Sequence, residues 1–138
     1  MRILVVLLAL ATAAAAQEKK PVIPKDFNPA GPYSAGIFAG GTLYISGTVG
    51  RDKTGQYPAE FEAEMKQALE NIRNILTAAK MDFSNAVAVT VYLTDMKLFD
   101  RMNKVYLEYF PEPRPTRTTV GVASLVGTAR IEITVTAR

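Results

Sequence analysis

The sequence predicts an α/β (α+β) domain on a single mixed sheet, in the order β-β-α-β-α-β-β, with both helices on one face. Three observations predict it. From Arg130 to Ala137, the residues Ile131, Ile133, Val135 and Ala137 alternate with Arg130, Glu132, Thr134 and Thr136, the period of a strand buried on one face. Between Glu60 and Lys80, Phe61, Met65, Ala68, Leu69, Ile72, Ile75, Leu76 and Ala79 recur at three- and four-residue steps, which makes an amphipathic helix with one buried stripe. Gly40-Gly41 separates two β-type runs and supplies a hairpin turn.

Taken in order, the chain opens with Met1-Arg2, an apolar run from Ile3 to Leu10 and an alanine-rich stretch to Ala16, followed abruptly by Gln17-Glu18-Lys19-Lys20. This is the layout of a secretory signal peptide, with an apolar stretch too short to span a bilayer and small residues at A-x-A spacing. Cleavage is expected after Ala16, and an uncleaved membrane anchor is the competing reading. Residues 17–27 form an N-terminal extension, and residues 28–138 form the domain. Tyr33–Ala39 and Thr42–Val49 are the first two strands. The 60–80 helix follows. Asn85–Leu93 is rich in valine and apolar on both parities, as a central strand covered on both sides would be. Thr94-Asp95 caps a second helix carrying Met96, Phe99, Met102, Tyr106 and Tyr109, which Pro111 and Pro113 end. Strands around Thr116–Val120 and Arg130–Ala137 close the domain.

Loss of residues 1–16 leaves 122 of 138 residues, a normal size for one domain with its own core. Removing Arg2 lowers the 16 basic residues to 15 against 13 acidic ones, and beyond Lys19-Lys20 the basic residues form no run. No aromatic-and-arginine platform accompanies them, so nucleic acid is not an expected partner. With neither cysteine nor histidine in the chain, cysteine nucleophiles, Ser-His-Asp triads, thiolate metal sites and imidazole ligands are excluded.

Two C-terminal segments carry the chemistry. Pro115-Thr116-Arg117-Thr118-Thr119-Val120 and Ile131-Glu132-Ile133 each set a charge in a short β-type run, where burial is costly unless the charge is paired or serves a site. Alternation puts Glu132 on the wetter face of its strand. Arg117 and Thr119 share a parity and project side by side, roughly 6.6 Å apart. An arginine and a carboxylate so placed suggest a pocket for a small carboxylic acid; a surface Arg/Glu pair on an ordinary hairpin is the alternative.

Further segments join these two. Gly31-Pro32-Tyr33-Ser34 followed by Gly36, Ile45-Ser46-Gly47, and Phe99 to Tyr106 containing Asn103 precede Pro115-Thr116-Arg117 and Ile131-Glu132-Ile133 in fitting order and spacing. From about Asn28 to Arg138 the chain resembles the RidA family of reactive-intermediate (enamine/imine) deaminases. The resemblance implies a chorismate-mutase-like fold assembled as a homotrimer, with pockets between subunits. By motif position it makes Arg117 the residue that grips the substrate carboxylate and Glu132 the acid that handles water, with Tyr33, Ser46, Gly47 and Asn103 lining the pocket. Thr119 stands where members often have cysteine, and Thr48 follows Ser46-Gly47 where glutamine is common, so substrate range is the property these departures touch.

The residue types suit that chemistry. Arginine holds a planar carboxylate through two parallel hydrogen bonds, which fixes the adjacent C=N carbon. Glu132 then orients a water and moves its proton, with Thr119, Ser46 and the Gly47 amide as candidate donors to the tetrahedral intermediate. An imine is already electrophilic, so no metal or organic cofactor is called for. Each residue also has a plainer reading: Tyr33 as a strand-edge aromatic, Ser46 as a local backbone partner, Asn103 as a tie from the second helix to a loop. The expected function is hydrolytic deamination of 2-imino and enamine acids to 2-oxo acids in the periplasm or outside the cell, free of the membrane once the leader is removed. A small-carboxylate binder without turnover is the alternative. An endoribonuclease ranks third, since it requires a basic track for RNA.

Overall fold

The computed structural model describes residues 18–25 and 31–138. The leader assigned to residues 1–16 lies outside them. Six strands form one sheet in the order β1-β2-β3-β6-β4-β5. They are β1 (Lys20–Val22), β2 (Gly36–Ala39), β3 (Thr42–Val49), β4 (Ala86–Leu93), β5 (Thr116–Gly121) and β6 (Ile131–Ala137), with α1 (Phe61–Ala78) and α2 (Phe99–Tyr109) between them. The expected order and single mixed sheet hold. The extension adds a sixth strand, β1, which pairs antiparallel with β2 at the sheet edge.

Gly40 and Gly41 both adopt positive φ, 62° and 75°, which the tight β2–β3 turn requires and which glycine adopts without steric cost. β2 is shorter than the run from Tyr33, because Gly31 and Tyr33 close a local turn in which the Tyr33 amide donates to the Gly31 carbonyl at 2.9 Å. The second helix also starts later than expected. Asp95 accepts from the Lys97 amide at 2.9 Å and caps a single 3₁₀ turn, Met96–Leu98, before α2 begins.

The last strand is central. β6 runs antiparallel between β3 and β4, while β5 lies parallel to β4 at the outer edge, joined to it by the α2 crossover. Ile131, Ile133, Val135 and Ala137 are buried against the helices with Phe61, Met65, Leu69 and Ile72 of α1 and Met102 and Val105 of α2. The opposite face is open in one chain: Tyr44 is 54% exposed and Val120 38%, while Thr90, Tyr92 and Thr134 are only half-buried. Among the described residues, none supplies the second cover expected for β4.

One ion pair joins the two helices, and a second joins α1 to the sheet. Arg101 of α2 forks onto Glu62 of α1 with both hydrogen bonds at 2.6 Å, and this pulls the Glu62 carboxyl down to about 2. Glu64, fully buried in the first turn of α1, accepts from the Arg130 amide at 2.7 Å and from its guanidinium Nε at 2.6 Å, and Arg130 also donates to the Pro58 carbonyl at 2.9 Å. Together these bonds hold the entry of β6 against α1. Removal of one member leaves the other charge uncompensated, so Glu64→Ala is expected to lower stability by about 3–5 kcal/mol. Denaturant titration checks this, and a midpoint shift equivalent to less than about 1 kcal/mol would make the pair no more than a surface contact.

Candidate active site

The expected site residues fall into two groups. The first lies around β3. Ile45 pairs with Val135 and Thr48 with Ile133, so Ser46 and Gly47 form a bulge that drops out of the β3–β6 register. A Cβ built on Gly47 would run into the Glu132 carboxylate, so glycine at this position lets the acid lie against the bulged backbone. Glu132 pairs with Tyr92 and Val49 and alternates with buried Ile131 and Ile133, which sets it on the open face. Tyr33, Ser46 and Gly47 line an open cleft of about 430 Å³ between the N-terminal segment, β3 and α1.

The Ser46 hydroxyl donates to the Ser34 carbonyl at 2.7 Å. Its proton is therefore committed to the backbone, and toward a ligand the oxygen acts as an acceptor; the expected donor role shifts to the main chain. Tyr33 is 53% exposed at the cleft and its side chain is not packed into the sheet edge.

The second group lies at the other edge. Arg117 and Thr119 pair with the buried Val89 and Val91, so both face the helices. The Arg117 guanidinium sits over the Tyr106 ring at 4.6 Å and the Phe99 ring at 5.7 Å, with Nη1 3.8 Å from the Met102 sulfur. These contacts hold the planar group without neutralising it: among the described residues no carboxylate pairs with Arg117. The Thr119 hydroxyl and the Tyr106 hydroxyl are buried with no hydrogen-bond partner. Burial pushes the Tyr106 phenol up while the nearby Arg117 charge pulls it down, the first effect being larger. Asn103 is half-buried one helical turn before Tyr106, and its side chain makes no hydrogen bond to any described residue, so it does not tie the helix to a described loop.

Arg117 and Glu132 thus project from opposite faces of the sheet, on strands separated by β4. They are neither a hairpin surface pair nor two walls of a pocket within one chain. The aromatic seat of Arg117 was hidden in the helix pattern, where Phe99, Met102 and Tyr106 read only as a core stripe. The cleft also recruits Lys25, Arg51, Asn71 and Val126, none of them singled out from the sequence. A readable trace existed for one: Gln67, Asn71 and Asn74 place amides at i, i+4 and i+7 of α1 on the cleft side.

The fold and the candidate residues define a small α+β domain with its polar groups divided between two parts of one sheet. A family model described as Endoribonuclease L-PSP matches residues 23–138, and the chain belongs to that family, the RidA family. The mouse protein named 2-iminobutanoate/2-iminopropanoate deaminase is 45% identical over 105 residues, covering 75% of this chain and 78% of the mouse chain. The crystal structure of RidA from an Antarctic Psychrobacter superposes with a TM-score of 0.81 at 34% identity, over 86% of this chain and 98% of that one. Escherichia coli TdcF with bound serine gives a TM-score of 0.79 at 32% identity, over 86% and 98% of the two chains.

Proposed function

We propose that this protein hydrolyses short 2-imino and enamine acids to 2-oxo acids and ammonia, at a site that two copies of the chain complete. The observation that carries this reading is the pairing of two unsatisfied halves. The β5 edge holds an arginine seated on aromatic rings and paired with no described carboxylate, with an unpartnered Thr119 hydroxyl beside it; the open face of β6 holds a carboxylate pressed against a bulged glycine. The deaminase name of the mouse relative supports the reaction class.

In this reading Arg117 binds the substrate carboxylate and fixes the C=N carbon before Glu132 of a neighbouring copy. Glu132 takes a proton from water as the oxygen bonds to that carbon, and the C=N π pair moves to nitrogen, which is protonated. The carbinolamine then collapses: Glu132 returns its proton to the nitrogen as the C–N bond breaks and ammonia leaves with the bonding pair, while the hydroxyl gives its proton to solvent and becomes the carbonyl of the 2-oxo acid. Thr119 and main-chain amides near Gly47 are the donors for the intermediate. The test generates 2-iminobutyrate in place with an amino-acid oxidase and follows loss of the semicarbazide-trapped species. Wild type is expected to speed that loss. Failure to do so with 2-oxo acid binding retained would favour a small-carboxylate binder, a reading that the serine held by TdcF keeps in view.

A homotrimer follows from the same reasoning. The open sheet face leaves Tyr44 and Val120 exposed, and three sheets packed about an axis would cover it while bringing the Arg117 edge of one copy to the Glu132 face of the next. The leader adds export and a chain that starts near Gln17. Native mass spectrometry on protein from its host checks both, with three copies per particle and a protomer lacking residues 1–16 as the expected result. A monomer at micromolar concentration would remove the shared site, and an intact Met1 in a cytosolic fraction would remove export.

A further inference from the structure

The cleft beside Ser46 and Gly47 has a charge that a short monocarboxylic imine does not use. At about 430 Å³ it lies within the roughly 300–1,000 Å³ of sites that enclose drug-sized ligands, far more than a three- or four-carbon acid needs. Among the described residues, Lys25 and Arg51 line it and no aspartate or glutamate does. A concave surface whose charged groups are cationic focuses a positive potential on its contents.

Arg51 is the built part of this lining. Asn71 Nδ2 donates to the Arg51 carbonyl at 2.9 Å and to the Val49 carbonyl at 3.0 Å, which fixes the backbone at the exit of β3. Arg51 Nε donates to the Gly55 carbonyl at 3.0 Å. Gly55 has φ of +87°, and a Cβ there would stand 3.0 Å from Arg51 Nη2, so the turn is shaped for the close approach of this guanidinium. Asp52, next in the chain, does not neutralise it. One Asp52 oxygen accepts from the Thr54 amide and hydroxyl, both at 2.8 Å, and from the Gln56 amide at 2.9 Å, which commits that oxygen to the turn. Neither Arg51 nor Lys25 has a carboxylate partner among the described residues.

We infer that Arg51 and Lys25 form a subsite for a second carboxylate, so that the preferred substrates are imino dicarboxylic acids, such as oxidation of acidic amino acids releases. The inference rests on the deaminase reading for the reaction, but not for the binding it predicts. Arg117 would take the carboxylate next to the imine, and the cleft would take the distal one.

The test compares binding of 2-oxoglutarate with 2-oxopentanoate, the same carbon chain without the distal carboxylate, by calorimetric titration at low and moderate salt. Wild type is expected to favour the dicarboxylate by about tenfold or more, the scale of one charge-assisted contact. The preference should shrink as salt is raised. Arg51→Gln should bring the ratio close to one, and Lys25→Gln should lower it in part. A wild-type ratio of one or less overturns the inference, as does a ratio that survives both substitutions. Imine turnover is measured separately: loss of turnover with the binding ratio intact overturns the deaminase reading and leaves the subsite standing, and turnover without the ratio does the reverse.

Discussion

Arg117→Ala is expected to lose both 2-oxo acid binding and imine turnover. A charge-assisted, forked contact to a carboxylate contributes about 1.5–3 kcal/mol, which is a loss of about ten- to more than a hundredfold in affinity. The geometry argues for the upper part of that range. The guanidinium is already held over Tyr106 and Phe99, so little side-chain entropy remains to be lost on binding, and no resident carboxylate must be displaced. Turnover should fall at least in proportion, because the anchor also aims the reacting carbon. Titration with 2-oxobutyrate gives the first quantity and kcat/KM on the imine the second. Arg117→Lys is the informative companion: it keeps the charge but lacks the planar fork, and it should recover only part of the affinity. Wild-type affinity in Arg117→Ala would move the anchor elsewhere, with Arg51 in the cleft as the other candidate.

Parity was the legible part of this site. The alternation of Ile131, Ile133 and Val135 placed Glu132 on the face away from the helices, and that is where it lies. The same reasoning paired Arg117 with Thr119, and both face one way. What alternation does not carry is the order of strands. β6 inserts between β3 and β4, a non-local pairing with no local turn to announce it, so the two charged strands looked like neighbours when β4 separates them. The bulge at Ser46-Gly47 was hidden for a related reason, since it exists only relative to the partner strand. β1 leaves no strand signal in the sequence because Lys20-Pro21-Val22 has too few residues to show a period and carries a proline, which an edge strand tolerates. The single turn at Met96–Leu98 was read as helix because Asp95 caps both kinds of turn alike.

Glu132→Gln is expected to keep binding and lose chemistry. The amide preserves the shape that fits against Gly47 and most of the hydrogen bonding, so 2-oxo acid affinity should stay within about threefold of wild type. It removes the base, and turnover should fall by roughly a hundredfold or more, the scale on which a positioned general acid or base contributes. The contrast with Arg117→Ala separates the two roles, because one substitution moves binding and turnover together and the other moves turnover alone. It also separates enzyme from binder, since a protein that only holds carboxylates would give no wild-type turnover for Glu132→Gln to lose. Because the two residues lie on opposite faces of the sheet, a mixture offers a further measurement. Arg117→Ala and Glu132→Gln chains, each inactive alone, should regain part of the wild-type rate when unfolded together and refolded, as some shared sites then combine an intact Arg117 with an intact Glu132. For random trimers mixed in equal amounts, about a quarter of the sites would be whole, provided each site draws Arg117 from one copy and Glu132 from the next. Recovery near that level supports a site built from two copies. No recovery, with trimers formed, would mean that no site draws Arg117 from one copy and Glu132 from another.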